Sequence, residues 1–184
     1  MRRFTLSIMF LILSINAFAM AGLAGMKKTS SDADFKNPEG FSNLLKGNYG
    51  KAIAIFSKEI IKNPLDANSY FYRGLAHHRQ GQYDRAVYDY TKAIEIDPNY
   101  AEAYFFRGNV YQHKGQHIEA VYDYTSSIKI DSRYVEAYKN RSHSYFSRKE
   151  YNNALKDLKK AEELGLSLEF EILNKAETEK SQYE

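Results

Sequence analysis

Residues 67–100 read ANSYFYRGLAHHRQGQYDRAVYDYTKAIEIDPNY, and residues 101–134 repeat them as AEAYFFRGNVYQHKGQHIEAVYDYTSSIKIDSRY. Tyr70, Tyr104 and Tyr138 fall 34 residues apart, as do Arg73, Arg107 and Arg141, then Ala86, Ala120 and Ala154. Tyr49, Tyr83, His117 and Tyr151 form a further series with the same step. A fixed period of this length belongs to helical hairpins stacked side by side, each too small to bury its apolar face alone. Such a stack offers a surface and no built-in reaction, so the period points to binding.

Working outward, the second unit spans residues 67–100, the third 101–134 and the fourth 135–166. A worn first unit, 38–66, keeps Gly47, Tyr49, Ala52, Phe56 and Pro64, but its opening helix lacks the Tyr and the Arg-Gly pair. In the third unit Glu102–Lys114 is expected to form one helix and Ile118–Ile130 the next, with left-handed Gly115 between them. Gly47 and Gly81 hold the same place, whereas Lys149 stands there in the fourth unit, so that turn should be slightly strained or differently shaped. Gly74 is read opposite Ala86 and Gly108 opposite Ala120, letting paired helices approach, with Tyr104, Tyr111 and Tyr124 as core around them. Pro98 ends the second unit, and Asp131-Ser132-Arg133-Tyr134 is expected to close the third more weakly, with Ser132 leaving room for the helix to run on. Leu168, Phe170, Ile172 and Leu173 make an apolar strip in 167–184, read as a terminal capping helix. The fold class is all-α, a helical solenoid.

These residues carry a resemblance. Tyr70-x2-Arg73-Gly74-x2-His77, Gly81, Tyr83, Ala86, Tyr90, Ala93 and Pro98 resemble the tetratricopeptide (TPR) repeat. Tyr104-x2-Arg107-Gly108-x2-Tyr111, Gly115, Ala120 and Tyr124 do so again. The resemblance implies a right-handed superhelix in which the first helix of each pair lines a concave face that grips proteins or peptide segments. Carried over, that face would present Asn68, Phe71, Tyr72, Leu75, His78 and Arg79 from the second unit. From the third it would present Glu102, Phe105, Phe106, Asn109, Gln112 and His113, and from the fourth Glu136, Lys139, Asn140, His143 and Phe146. An aromatic centre with a polar rim suits an interaction surface, so at least two of Phe71, Tyr72, Phe105 and Phe106 are expected to stand exposed in the groove. Some members of the family clamp a chaperone's C-terminal carboxylate with Lys, Asn and Arg. Here Phe71, Leu75, Phe106, Glu136 and Asn140 fill the matching positions, so no such recognition is expected.

The amino end reads as a secretory signal. Arg2 and Arg3 precede an uncharged run, Phe4–Met26, apolar in front and rich in small residues behind. Ala17-Phe18-Ala19 suits cleavage after Ala19, and an uncleaved membrane anchor over residues 4–26 is the alternative. Residues 20–37 would follow as a disordered tether. On either reading the repeats lie beyond the cytoplasmic membrane, periplasmic or secreted. The chain has no cysteine, which excludes disulfides, thiolate metal sites and a lipid-modified N-terminal cysteine. Lysine plus arginine is 26 against 23 acidic residues, and without Arg2 and Arg3 the balance is 24 against 23. Nucleic-acid binding would need a basic stripe, and none is seen.

The usual chemistries find no support. His113 and His117 have a metal-like spacing, but Gly115 separates them into different helices, and His117 takes the slot of Tyr83 and Tyr151. No phosphate-cradling glycine loop or nucleophile elbow occurs. Glu162-Glu163 reads as a solvated helix face, and Asn140-Arg141-Ser142, a glycosylation pattern, falls inside a helix. No cofactor, metal or catalysis is expected. The reading is an exported adaptor or scaffold of the cell envelope that binds a protein segment in its groove. The alternative is a homo-oligomeric scaffold, paired through its convex face at Tyr88 and Tyr122.

Overall fold

The computed structural model of the protein describes residues 37–166 and Thr178. The described residues fold as eight α-helices in four antiparallel pairs, with no strand among them. The pairs are α1 (Pro38–Leu45) with α2 (Tyr49–Lys62) and α3 (Ala67–Arg79) with α4 (Tyr83–Ile96). They continue as α5 (Ala101–His113) with α6 (His117–Ile130) and α7 (Val135–Ser147) with α8 (Tyr151–Glu163). Each helix packs on the next in sequence, and α3, α5 and α7 also touch across units. The signal segment, the tether as far as Lys36 and the capping helix, Thr178 apart, lie outside the described residues.

The turns inside the pairs share one geometry. In the third unit Gly115 N–H donates to Gln112 O and Gln116 N–H to Tyr111 O, each at 2.9 Å, with Gly115 at φ +73°. These two bonds satisfy carbonyls that the helix end would otherwise leave open. The fourth unit makes the same bonds, Lys149 N–H to Phe146 O and Glu150 N–H to Tyr145 O, also at 2.9 Å. Lys149 is thereby held at φ +61°, a left-handed backbone that a side chain disfavours. The two later turns between pairs depend on aspartate, where the first uses Asn63. Asp97 Oδ1 accepts from Asn99 N–H at 3.0 Å, and Asp131 Oδ1 from Arg133 N–H at 2.9 Å. The helix before Ser132 therefore stops at Ile130 and does not run on, because the aspartate closes the turn without proline.

A close helix contact fixes each pair, with partners other than those expected. A Cβ on Gly74 would stand 3.0 Å from Cε1 of Tyr90, and one on Gly108 2.8 Å from Cε1 of Tyr124. The glycines thus face tyrosine rings, not Ala86 and Ala120. Gly40 belongs to the same series, since a Cβ there would come 2.8 Å from the Phe56 ring. The worn first unit has lost the arginine of its Arg-Gly pair and kept the glycine. Ser142 replaces the glycine in the fourth unit and is buried, and there α8 presents Leu158 where α4 and α6 present tyrosine. The slimmer side chain makes room for the serine, whose Oγ donates to Lys139 O at 2.6 Å.

The arginines form a repeated lock. Arg73 donates through Nε and Nη2 to both oxygens of Asp89 at 2.9 and 2.7 Å. Arg107 holds Asp123 at 2.8 and 2.8 Å, and Arg141 holds Asp157 at 2.7 and 2.7 Å. The remaining Nη1 reaches back to the preceding unit: Arg73 to Ser57 Oγ at 3.2 Å, Arg107 to Thr91 Oγ1 and Arg141 to Thr125 Oγ1 at 2.9 Å. Each lock therefore joins three helices. Its hydrogen bond to Asp89 raises the Arg73 pKa above the ordinary value against the opposing pull of desolvation. Tyr104 and Tyr111 are half-buried, not core, because they lie on either side of the Arg107 guanidinium, whereas Tyr124 is fully buried.

Two outcomes test this. Asp123→Ala leaves the donors of Arg107 without their carboxylate, and should lower stability by about 3–5 kcal/mol in urea unfolding. Lys149→Gly relieves the left-handed lysine, and should raise stability by about 1 kcal/mol in the same assay.

Candidate protein-interaction surface

The groove positions lie on α3, α5 and α7, the helices that approach each other across units and so mark the inner side of the stack. Their aromatic centre is closed. Phe71 is 0% exposed, Phe105 6% and Phe106 5%, so the expectation that at least two of the four aromatic residues stand exposed does not hold, and Leu75 is closed as well at 2%. The reason is the repeat register. Phe71 packs on Tyr100, the last residue of its own unit, at 4.9 Å between ring centroids, and on Phe106 of the next unit at 5.5 Å. Phe105 repeats the contact with Tyr134 at 4.8 Å and meets Tyr124 at 5.9 Å. These rings are the joint between units, and burial on this scale outweighs display. The series ends at Lys139, which takes the place of Phe71 and Phe105 in the fourth unit.

Tyr72 is half-buried and turned toward the first unit, stacked on Phe56 at 5.5 Å and edge-on to Phe41 at 5.7 Å. Burial first, and then the nearby charge of Glu102, push its phenol up to about 12. What remains open on this side is polar. Asn68 is exposed, and its Oδ1 accepts from the Tyr100 hydroxyl at 2.8 Å. Asn109, Gln112, Lys139 and Asn140 are partly open, and His113 and His143 are exposed. Arg79 and Phe146 are partly open near the helix ends.

A hydrogen-bonded network spans the third and fourth units. Asn109 Oδ1 accepts from the Tyr124 hydroxyl at 2.8 Å and from Asn140 Nδ2 at 2.7 Å. Gln112 Oε1 also lies 3.0 Å from the Tyr124 hydroxyl, and Gln112 Nε2 donates to Asn140 O at 3.3 Å. Four of these groups come from three helices, so the amides are held in place before any ligand arrives. The 34-residue comparison could not show this, because Leu75 and His78 occupy the places of Asn109 and Gln112 in the second unit.

Beside the network, His78 meets His113 at 5.7 Å and Tyr83 at 5.8 Å, while Tyr83 stacks on His113 at 6.0 Å. Nδ1 of His78 is buried without a hydrogen-bond partner among the described residues. Burial, then the charges of His113 and Arg79, bring its pKa down to about 4. Burial and Lys139 lower His143 as well. His113 and His117 end one helix and begin the next, and among the described residues no cluster of three or more His, Asp or Glu could hold a metal. Among them, too, no helix is long and apolar enough to cross a membrane. On the outer helices Tyr88 is 57% exposed and Tyr122 69%.

Sequence reasoning missed the carboxylate half of each lock. Asp89, Asp123 and Asp157 recur with the 34-residue step and lie 16 residues after Arg73, Arg107 and Arg141. A search for acid–base pairs at one repeated offset would have found them.

The geometry defines a helical repeat stack that presents a preorganised polar surface. Residues 55–88, 78–115 and 101–134 match the tetratricopeptide repeat family. Residues 55–134 thus carry tetratricopeptide repeats, and a protein-interaction module is the role these repeats support. The chain is similar to a crystal structure of MamA at 27% identity and a TM-score of 0.66, over 83% of this chain and 91% of that one. A second MamA crystal structure shows 26% identity and a TM-score of 0.65, over 71% of this chain and 75% of that one. The first TPR of Spaghetti (RPAP3), bound to the HSP90 peptide SRMEEVD, shows 25% identity and a TM-score of 0.58, over 64% and 92%. No curated protein matches the sequence.

The half-buried His78 sets a pH dependence. The unfolded chain binds a proton at His78 near 6.5, while the folded chain resists it until about 4. Stability is therefore highest above pH 6.5, falls as pH drops from 6.5 toward 4, and levels below that. A loss of up to about 3 kcal/mol is expected over this window in urea titrations. His78→Gln, which installs the residue found at position 112, should flatten the slope.

Proposed function

We propose that the protein is an exported adaptor or scaffold of the cell envelope that holds a partner polypeptide along its inner face. The observation that carries this is the amide network of Asn109, Gln112 and Asn140, fixed by the Tyr124 hydroxyl and half open to solvent. Amides held in one orientation can pair with a peptide backbone without first losing side-chain freedom. The peptide in the Spaghetti complex supports peptide binding by a similar fold. Its acidic sequence does not transfer, because Glu102 and Glu136 flank this surface and would repel it. The surface suits a neutral or basic extended segment, with polar contacts at the centre in place of the aromatic anchors first expected. Export rests on the amino-terminal signal pattern, Arg2-Arg3 followed by the uncharged run Phe4–Met26.

A second reading has its own observation. Tyr88 and Tyr122 occupy equivalent exposed places on α4 and α6, with Ile118 beside them 67% exposed, and this apolar row would suit pairing of two copies. One experiment separates the two. A photo-crosslinking amino acid is placed in intact cells at Gln112 or at Tyr122. Groove binding gives a heterologous adduct from position 112 that Asn109→Arg abolishes. Self-assembly gives a homodimer adduct from position 122. Absence of any adduct from position 112 removes the groove reading.

A further inference from the structure

In the third and fourth units the locked guanidinium lies between two phenols. Tyr104 and Tyr111 flank Arg107 at 5.7 and 6.0 Å, and Tyr138 and Tyr145 flank Arg141 at 5.7 and 5.8 Å. In the second unit Tyr70 covers one side of Arg73 at 5.5 Å, and the place of the second phenol is taken by His77. Histidine has a smaller ring and no hydroxyl, so it reaches less far. At this place the surface opens into a pocket of about 370 Å³, lined by Arg73, His77, Asp84, Arg85, Tyr88 and Asp89.

The polar groups of the pocket narrow what it can take. His77 Nδ1 lies 2.7 Å from Gln82 Oε1, which also accepts from Arg85 Nη1 at 3.2 Å. An amide carbonyl oxygen only accepts, so Nδ1 carries a proton toward Gln82, and in the neutral tautomer this leaves Nε2 as an acceptor. The neighbour of Nε2 is Asp89 Oδ2 at 3.8 Å, another acceptor. Nε2 thus lacks a donor on that side. Two arginines and two aspartates line the walls, and Asp84 is already paired with Lys114 Nζ at 2.6 Å at the rim. A net-neutral lining favours neither an anion nor a cation. It favours an uncharged ring that stacks on the guanidinium and brings an O–H donor.

We propose that this pocket is a socket for a tyrosine side chain of a partner polypeptide, its ring against the Arg73 wall of the pocket and its hydroxyl donating to His77 Nε2. The occupant is argued from the protein itself, which fills the equivalent places with Tyr111 and Tyr145. None of the lining residues is a groove position, so the socket stands apart from the inner-face reading.

The test is an NMR titration of the full-length chain with N-acetyl-tyrosinamide, following the Arg73 Nε–H and His77 ring signals. Saturable shifts are expected, with an apparent affinity several-fold tighter than for N-acetyl-leucinamide. His77→Tyr supplies the missing phenol from within and should weaken binding at least tenfold. Tyr111→His should create a second responding site at Arg107. The proposal is overturned by non-saturable shifts, by shifts that survive His77→Tyr, or by equal response to the leucine amide. If circular dichroism shows His77→Tyr unfolded, the presence or absence of the new site in Tyr111→His decides.

Discussion

The arginine–aspartate lock is the constraint on which the rest of the structure depends. Packing alone would let helix pairs slide, because dispersion contacts between rings have little directional preference. A guanidinium that grips both oxygens of a carboxylate permits one distance and one angle. Arg107 fixes α5 to α6 in this way through Asp123, and its third nitrogen fixes both to Thr91 on α4. The same three-way joint recurs at Arg73 and Arg141. The joint is a device for register: it repeats the angle between units, and the joints of Phe71 and Phe105 then fill the space that this angle leaves.

Much of the fold was legible because periodicity survives any ignorance of detail. Four helix pairs, left-handed turn residues at Gly47, Gly81 and Gly115, and a strained Lys149 all follow from aligning the chain with itself. The errors share one physical origin. Residue type was allowed to decide exposure, although Phe71 and Phe105 lie on the side of the helix that meets the next unit. Position in the repeat cannot separate a ring facing the groove from one facing a neighbour when both lie on the same helix flank. Gly40 was overlooked because its arginine is gone, yet the close approach it permits to Phe56 is intact. The fourth unit shows that a departure from the pattern can be compensated at a distance, as Ser142 is by Leu158.

The inner face is less legible for a further reason. The amides of Asn109, Gln112 and Asn140 occupy positions with no common residue type across units, so no repeat signal marks them. They acquire meaning only when α5, α6 and α7 bring them within hydrogen-bonding distance of each other and of Tyr124. A repeat protein keeps scaffold and recognition in separate positions, and only the scaffold is periodic.

The lock is not distributed evenly along the stack. In the first unit Glu39 and Ile55 stand where later units have arginine and aspartate, and α1 and α2 are held by Phe56, Leu44, Ala52 and the ring of Tyr72. Across the boundary Arg73 reaches this unit only through the Ser57 hydroxyl. The solenoid is therefore mechanically graded. Tension applied at Asn37 would peel an oily, unlatched hairpin before it met the first ionic rivet, so the amino end works as a yielding coupling and the later units as the stiff beam.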